Sequence, residues 1–216
     1  MFLVWKKLRL SKFIFTGNMS LTLTDNQTFN QDGKFISALK IPHSTNTSGW
    51  GSLLLPVIII RNGDGPTVLF TGGNHGDEYE GPIALRKLAN ELKVEDIQGQ
   101  VIIVPYLNFP AILAGTRLSP VDGLNMNRSF PGDPDGSMTL KIADFVYREL
   151  VSQCDVVFDF HSGGNSMIFE PCTVLHKLED SEQMKKTVLA AKSFGAPVSL
   201  VLQELDNKGM LDTAVE

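Results

Sequence analysis

Short runs of β-branched and aliphatic residues alternate along the chain with stretches of helical period, separated by glycine- and proline-bearing turns. Residues 35–42, with Phe35, Ala38, Leu39 and Ile41 apolar, predict one strand, and the β-prone run 53–60 predicts a second. Residues 43–51, rich in Ser, Thr, Asn and Gly, read as a loop. Asn62, Gly63, Asp64, Gly65 and Pro66 mark a sharp turn, and Thr67, Val68, Leu69 and Phe70 after it suit a strand buried on both faces. Gly81 and Pro82 open a helix to about Lys93, with Ile83, Leu85, Leu88, Ala89 and Leu92 on its apolar side. Residues 100–104 and 156–160 read as further buried strands, 139–151 and 180–194 as helices, and 166–171 and 198–203 as two more strands. The stretch 107–134, dense in Asn, Gly, Pro and Asp, is too long for a connector and reads as functional. Strands and helices alternating at this spacing predict an α/β fold: a three-layer sandwich around a mostly parallel central sheet.

Composition narrows the function classes. A chain of 216 residues fits one domain, and its 43% hydrophobic and 20% charged residues suit a core-forming globular protein. The net charge of −5 argues against a nucleic-acid or anionic-membrane partner, and no apolar run is long enough to span a bilayer. Cys154 and Cys172 are too few for a disulfide framework and read as reduced, buried thiols, so a cytoplasmic location is expected. The basic cluster in residues 6–12 interrupts the apolar run that a signal peptide would need. Residues 1–18 therefore read as a disordered or spurious extension, and 19–216 as the folded domain.

In open α/β sheets ligands bind beyond the carboxyl ends of the strands. Three polar clusters fall at such places: Asn74 to Glu78, Asn125 to Arg128, and Asp159 to Ser162. His75 and Glu78, three residues apart on a turn, can point the same way, and His161 follows a neighbouring strand. Two imidazoles and a carboxylate with an open fourth position are a catalytic zinc set. The plainer alternative is that Asp77 and Glu78 cap the next helix. Asp159 and His161 share one side of their strand, so Asp159 could orient the imidazole from behind; backbone donors or an arginine could equally satisfy it. Arg117 and Arg128 could hold a substrate carboxylate or a developing oxyanion, with Asn127 adding an amide, or could be surface cations of a loop. His43 and His176 lack ligand-type neighbours and read as surface or structural, and neither cysteine has a neighbouring His to activate it.

The motifs Gly72-Gly73-Asn74-His75-Gly76-Asp77-Glu78, Asn127-Arg128-Ser129-Phe130-Pro131-Gly132 and Asp159-Phe160-His161-Ser162-Gly163-Gly164 together resemble the succinylglutamate desuccinylase/aspartoacylase family. These are zinc amidohydrolases related in fold to the zinc carboxypeptidases. The resemblance runs from about Ser48 to Glu216. It implies one zinc ion per chain on His75, Glu78 and His161, substrate contacts from Asn127 and Arg128, and an oxyanion role for Arg117. Residues 49–52, 73–81, 119–132 and 205–216 look closest to members that deacetylate N-acetyl-2,4-diaminobutyrate in ectoine breakdown. The expected partner is thus a small N-acyl amino acid, with self-association left open. One departure stands out. The family's Thr-Glu-Leu-Gly-like segment, whose glutamate moves the protons, has no match here, and neither Glu204 nor Glu216 fits it. The domain is thus expected to be incomplete at its C-terminus. An inactive zinc-binding fragment and a peptide-cleaving metallocarboxypeptidase remain as alternatives to a deacylase.

Overall fold

The computed structural model describes residues 2–5, 22–23, 29–203 and 209–215. The strands are β1 (Phe2–Trp5), β2 (Thr22–Leu23), β3 (Gly33–Pro42), β4 (Ser52–Asn62), β5 (Thr67–Gly72), β6 (Gly99–Val104), β7 (Val156–Phe160), β8 (Cys172–His176) and β9 (Val198–Leu202). The helices are α1 (Glu80–Glu91), α2 (Phe109–Ala114), α3 (Met138–Phe145), α4 (Ser181–Phe194) and α5 (Leu211–Val215). One sheet contains every strand, in the order β2-β3-β4-β6-β5-β7-β1-β8-β9. Its centre, β6-β5-β7, is parallel, as the alternation of strands and helices predicts. Antiparallel pairs flank that centre: β3 with β4 and β4 with β6 on one side, β1 with β7 on the other.

Side chains alternate across the sheet and build two apolar layers. Leu69, Ile102, Val104 and Val157 face a core completed by Ile142, Val146 and Leu150 of the helical stretch after residue 137, with Leu211 and Val215 of α5. Ile58, Ile60 and Ile103 face the other way, onto Leu85 and Ala89 of α1. Farther along, Leu175 packs on Ala191 of α4, with Val156 and Phe158 beside them. The result is helices on both faces of a sheet.

Several elements differ from the pattern reading. Ile83 is exposed, because Gly81, Pro82, Leu85 and Ala89 form the buried stripe and Ile83 sits about 200° around the helix from Leu85. Residues 166–171 form no strand: Ile168 is fully in solvent, and pairing resumes at Cys172, just past Pro171, which has no N–H to give a ladder. The long stretch 107–134 contains a helix, α2, with Asn108 capping its start and Gly115 its end. The helix expected over 139–151 is α3, one π-helical turn (Val146–Leu150) and a short 3-10 turn (Val151–Gln153). Phe2–Trp5, expected in an extension outside the fold, pairs with β7 and β8, while residues 6–18 lie outside those described. Cys154 is buried, its thiol donating to the Leu150 carbonyl, and Cys172 is half-buried. No helix among the described residues is long and apolar enough to cross a membrane.

Candidate metal centre

β5 and β7 lie side by side in parallel register, Thr71 opposite Asp159 and Gly72 opposite Phe160. Their carboxyl ends therefore release the chain at one place. From β5 it enters a tight turn carrying His75 and Glu78 before α1; from β7 it passes straight into His161. Glycine makes the turn possible. Gly73 has a φ of 69°, and a Cβ on Gly76 would come within 2.0 Å of the Ala111 backbone, so α2 packs directly on the loop.

Both oxygens of Glu78 are engaged by imidazoles. His75 Nδ1 lies 2.7 Å from Oε1, and His161 Nδ1 lies 2.8 Å from Oε2. One ligand atom from each of the three residues falls within 4.8 Å of the others, the arrangement of a group that could hold a metal ion. All three side chains are nearly inaccessible. Burial opposes charge on Glu78, but the hydrogen bonds and charges of His161 and His75 outweigh it and hold the carboxyl well below its ordinary range. Burial likewise opposes charge on His161, yet the adjacent Asp159 carboxylate prevails and raises its pKa to about 9. Without a metal, a proton on His161 supplies the positive charge that two buried carboxylates demand.

Behind the cluster, Asp159 Oδ2 accepts from His161 Nε2 at 2.9 Å and from Asn74 Nδ2 at 3.0 Å. Its Oδ1 accepts from the Thr71 hydroxyl at 2.6 Å. Asp159 thus lies behind the imidazole, and its other donors are the Thr71 hydroxyl and the Asn74 amide rather than backbone groups or an arginine. The charge of His161 again overcomes burial and keeps Asp159 ionised. Asn127 is buried, and its Oδ1 accepts from Asn74 Nδ2 and from the Leu211 backbone at the start of α5. Arg117 donates from Nη1 to Glu78 Oε1 at 3.2 Å while staying half exposed. Arg128 is exposed, with Nη1 on the carbonyl of Asn127. The turn thus gathers His75, Glu78, His161, Asp159, Asn127 and Arg117 into one hydrogen-bonded group, and Arg128 stands beside it. Glu204 and Glu216 lie outside the described residues.

A model of the succinylglutamate desuccinylase/aspartoacylase catalytic domain matches residues 64–216. The chain belongs to this family. Among its relatives, the N-alpha-acetyl-L-2,4-diaminobutyric acid deacetylase of Halomonas elongata is 53% identical over 188 residues, 87% of this chain and 55% of that protein. The product-bound structure of the ectoine utilization protein EutE (DoeB) from Ruegeria pomeroyi matches with a TM-score of 0.86 at 49% identity, over 92% of this chain and 60% of that one. A succinylglutamate desuccinylase from a Silicibacter species matches at 0.87 and 47%, over 93% and 60%. The chain thus spans 55–60% of the length of these family members.

Some side chains of the site in this family member escape a reading by motif. Thr71, in register with Asp159, and Asn74, two residues past β5, both donate to its carboxylate. The Ser162 amide donates to Glu78 Oε2 at 3.0 Å, and its hydroxyl to Glu80. Asn125 itself, a residue type that accepts from the backbone two positions on, is the available sign of the turn it caps.

Proposed function

We propose that this chain carries the metal-binding and substrate-holding part of a zinc-dependent amidohydrolase that removes the acyl group of an N-acyl amino acid, N-acetyl-2,4-diaminobutyrate being the preferred substrate. The observation that carries the reading is the convergence of two imidazole Nδ1 atoms on the two oxygens of one buried, ionised carboxylate. Two nitrogens and a carboxylate suit zinc, and three protein ligands leave a position for water or substrate. The names of the relatives support the substrate class.

Zinc, when bound, supplies Lewis acidity toward the amide carbonyl and a lowered pKa for water. The chain's own residues do the rest. Glu78, held ionised by the two imidazoles, is available as a carboxylate ligand. Asp159 fixes the direction of the His161 ring. Arg128, exposed at the turn, pairs its planar fork with the substrate carboxylate, a geometry that a point charge does not reproduce. Arg117, touching Glu78 from the rim, faces the negative charge that develops on the carbonyl oxygen. Asn127 offers an amide donor between the two. Residues 19–216 form the catalytic portion in the same reading, with Phe2–Trp5 adding a strand to its sheet.

Three measurements on one purified sample test the proposal: metal content, affinity for N-acetyl-2,4-diaminobutyrate by calorimetry, and acetate release. One zinc per chain, lost in His75→Ala, with binding of this substrate in preference to a peptide ending in a free carboxylate and only slow acetate release, is expected. Equal metal in wild type and variant would overturn the ligand assignment, and preferential peptide cleavage would overturn the substrate class.

A further inference from the structure

We infer that Asn125 is the positioning residue of the metal ligand His75, and that one oxygen atom of its side chain ties the metal cluster to the turn carrying Asn127 and Arg128. The inference deepens the metal reading above and rests on it. Asn125 Oδ1 lies 3.0 Å from the backbone nitrogen of Asn127 and 3.1 Å from His75 Nε2. The first contact decides the second. A backbone N–H can only donate, so the amide atom facing it is the oxygen, and the usual ambiguity between Oδ1 and Nδ2 is removed. An oxygen can only accept, so His75 Nε2 must carry a hydrogen. When the ring ligates a metal as a neutral imidazole, the lone pair is then on Nδ1, the atom beside Glu78. The backbone of Asn127 thereby dictates which tautomer of His75 faces the metal position.

The rest of Asn125 is held to match. Its carbonyl accepts from Arg128 N at 2.9 Å and from the Ser129 hydroxyl at 2.8 Å, which closes the 3-10 turn Met126–Arg128 on itself. The backbone carbonyl and the side-chain oxygen of Asn125 are therefore both held before any ligand arrives. The two imidazoles are backed by different chemistry. His161 Nε2 faces a carboxylate, Asp159, whereas His75 Nε2 faces a neutral amide. A carboxylate at both places would add a third buried negative charge to Glu78 and Asp159. The amide supplies direction without that charge.

Three substitutions separate the two jobs of this oxygen. Asn125→Asp keeps an acceptor for both donors. Asn125→Ser keeps a capping oxygen for the turn but is one atom too short to reach the ring. Asn125→Ala loses both contacts. Zinc affinity, by chelator competition, is expected to fall roughly ten- to hundredfold in the Ser and Ala variants and to be kept in Asp, because that is the usual effect of losing the group behind a ligating His. The visible spectrum of the cobalt-substituted protein should change in Ser and Ala only, a response that a purely structural cap would not give. Affinity of the metal-loaded protein for a substrate carboxylate should weaken in Ala more than in Ser. If Ala fails to fold, Ser against Asp decides. Wild-type zinc affinity and cobalt spectrum in the Ser variant would overturn the inference while leaving the metal site standing. A wild-type chain that binds no zinc would overturn both.

Discussion

Asp159 receives three side-chain hydrogen bonds, from Thr71, Asn74 and His161. Their combined effect is to keep its charge in place behind an imidazole. Asp159→Asn preserves the shape but removes that charge, and an amide turned with its NH₂ toward His161 Nε2 would force the opposite tautomer. Zinc affinity should therefore drop roughly ten- to hundredfold with little change in circular dichroism. Undiminished affinity would show that the charge of Asp159 is spent on the fold alone. Arg128 poses the opposite case, an exposed cation with one backbone contact. Arg128→Ala should leave zinc content unchanged while raising KM for carboxylate-bearing substrates about tenfold or more, as loss of a charge-assisted pair would. Loss of metal in that variant would make Arg128 part of the turn's structure instead.

At the scale of elements, the site depends on packing that motifs only partly express. The His-x-x-Glu spacing, the strand ends and the flanking glycines could be read from residues 72–78 and 159–164, because they are local. α2 could not: the residues after 107 read as loop, since Phe109, Ala111 and Ile112 are too few to show a helical period. Yet α2 lies against Gly76 so closely that no side chain fits between. Gly76→Ala should push the turn off α2, lower Tm by several degrees and abolish zinc binding together; a variant that keeps both would mean that α2 yields easily. A second anchor holds α3. Asp122 accepts from Thr139 N at 2.8 Å, from the Ser137 hydroxyl at 2.7 Å and from the Thr139 hydroxyl at 2.8 Å. Burial opposes its charge, but these donors prevail and its pKa is lowered from the ordinary 3.8. Its folded value lies below the unfolded one, so its contribution is complete above about pH 4 and disappears as pH falls through the depressed value. Asp122→Ala should cost about 2 kcal/mol at neutral pH and flatten the acid limb of a urea-unfolding profile. An unchanged acid limb would exclude Asp122 as its source.

For the whole molecule, the alternation of short apolar runs with helices was enough to foresee a sheet covered on both faces, because burial on two sides leaves the continuous runs at 67–70, 100–104 and 156–160. Order within the sheet was not legible. Nothing in Phe2–Trp5 announces that it lies between β7 and β8, and the 166–171 run shows the residue types of a strand without pairing with any described strand. Pairing depends on partners far away in sequence, and hydropathy records only local burial. Zinc at one hundred times its dissociation constant should stabilise the folded chain by about 2.7 kcal/mol, since the unfolded chain cannot assemble the same ligands. A melting temperature indifferent to zinc would contradict a site of that affinity.

The parallel pairing of β5 with β7 carries a kinetic consequence. The hydroxyl of Thr71 meets Asp159 across 88 positions of chain. Closing so large a loop loses entropy before any contact repays it, and contacts of high sequence separation make folding slow. Local pieces such as the β3–β4 hairpin can form early, but the ligand trio is assembled only when that distant closure is complete. An ion added during refolding should therefore be captured in the slowest phase. A zinc-sensitive dye followed by stopped flow would then report the last step of folding rather than the first collapse.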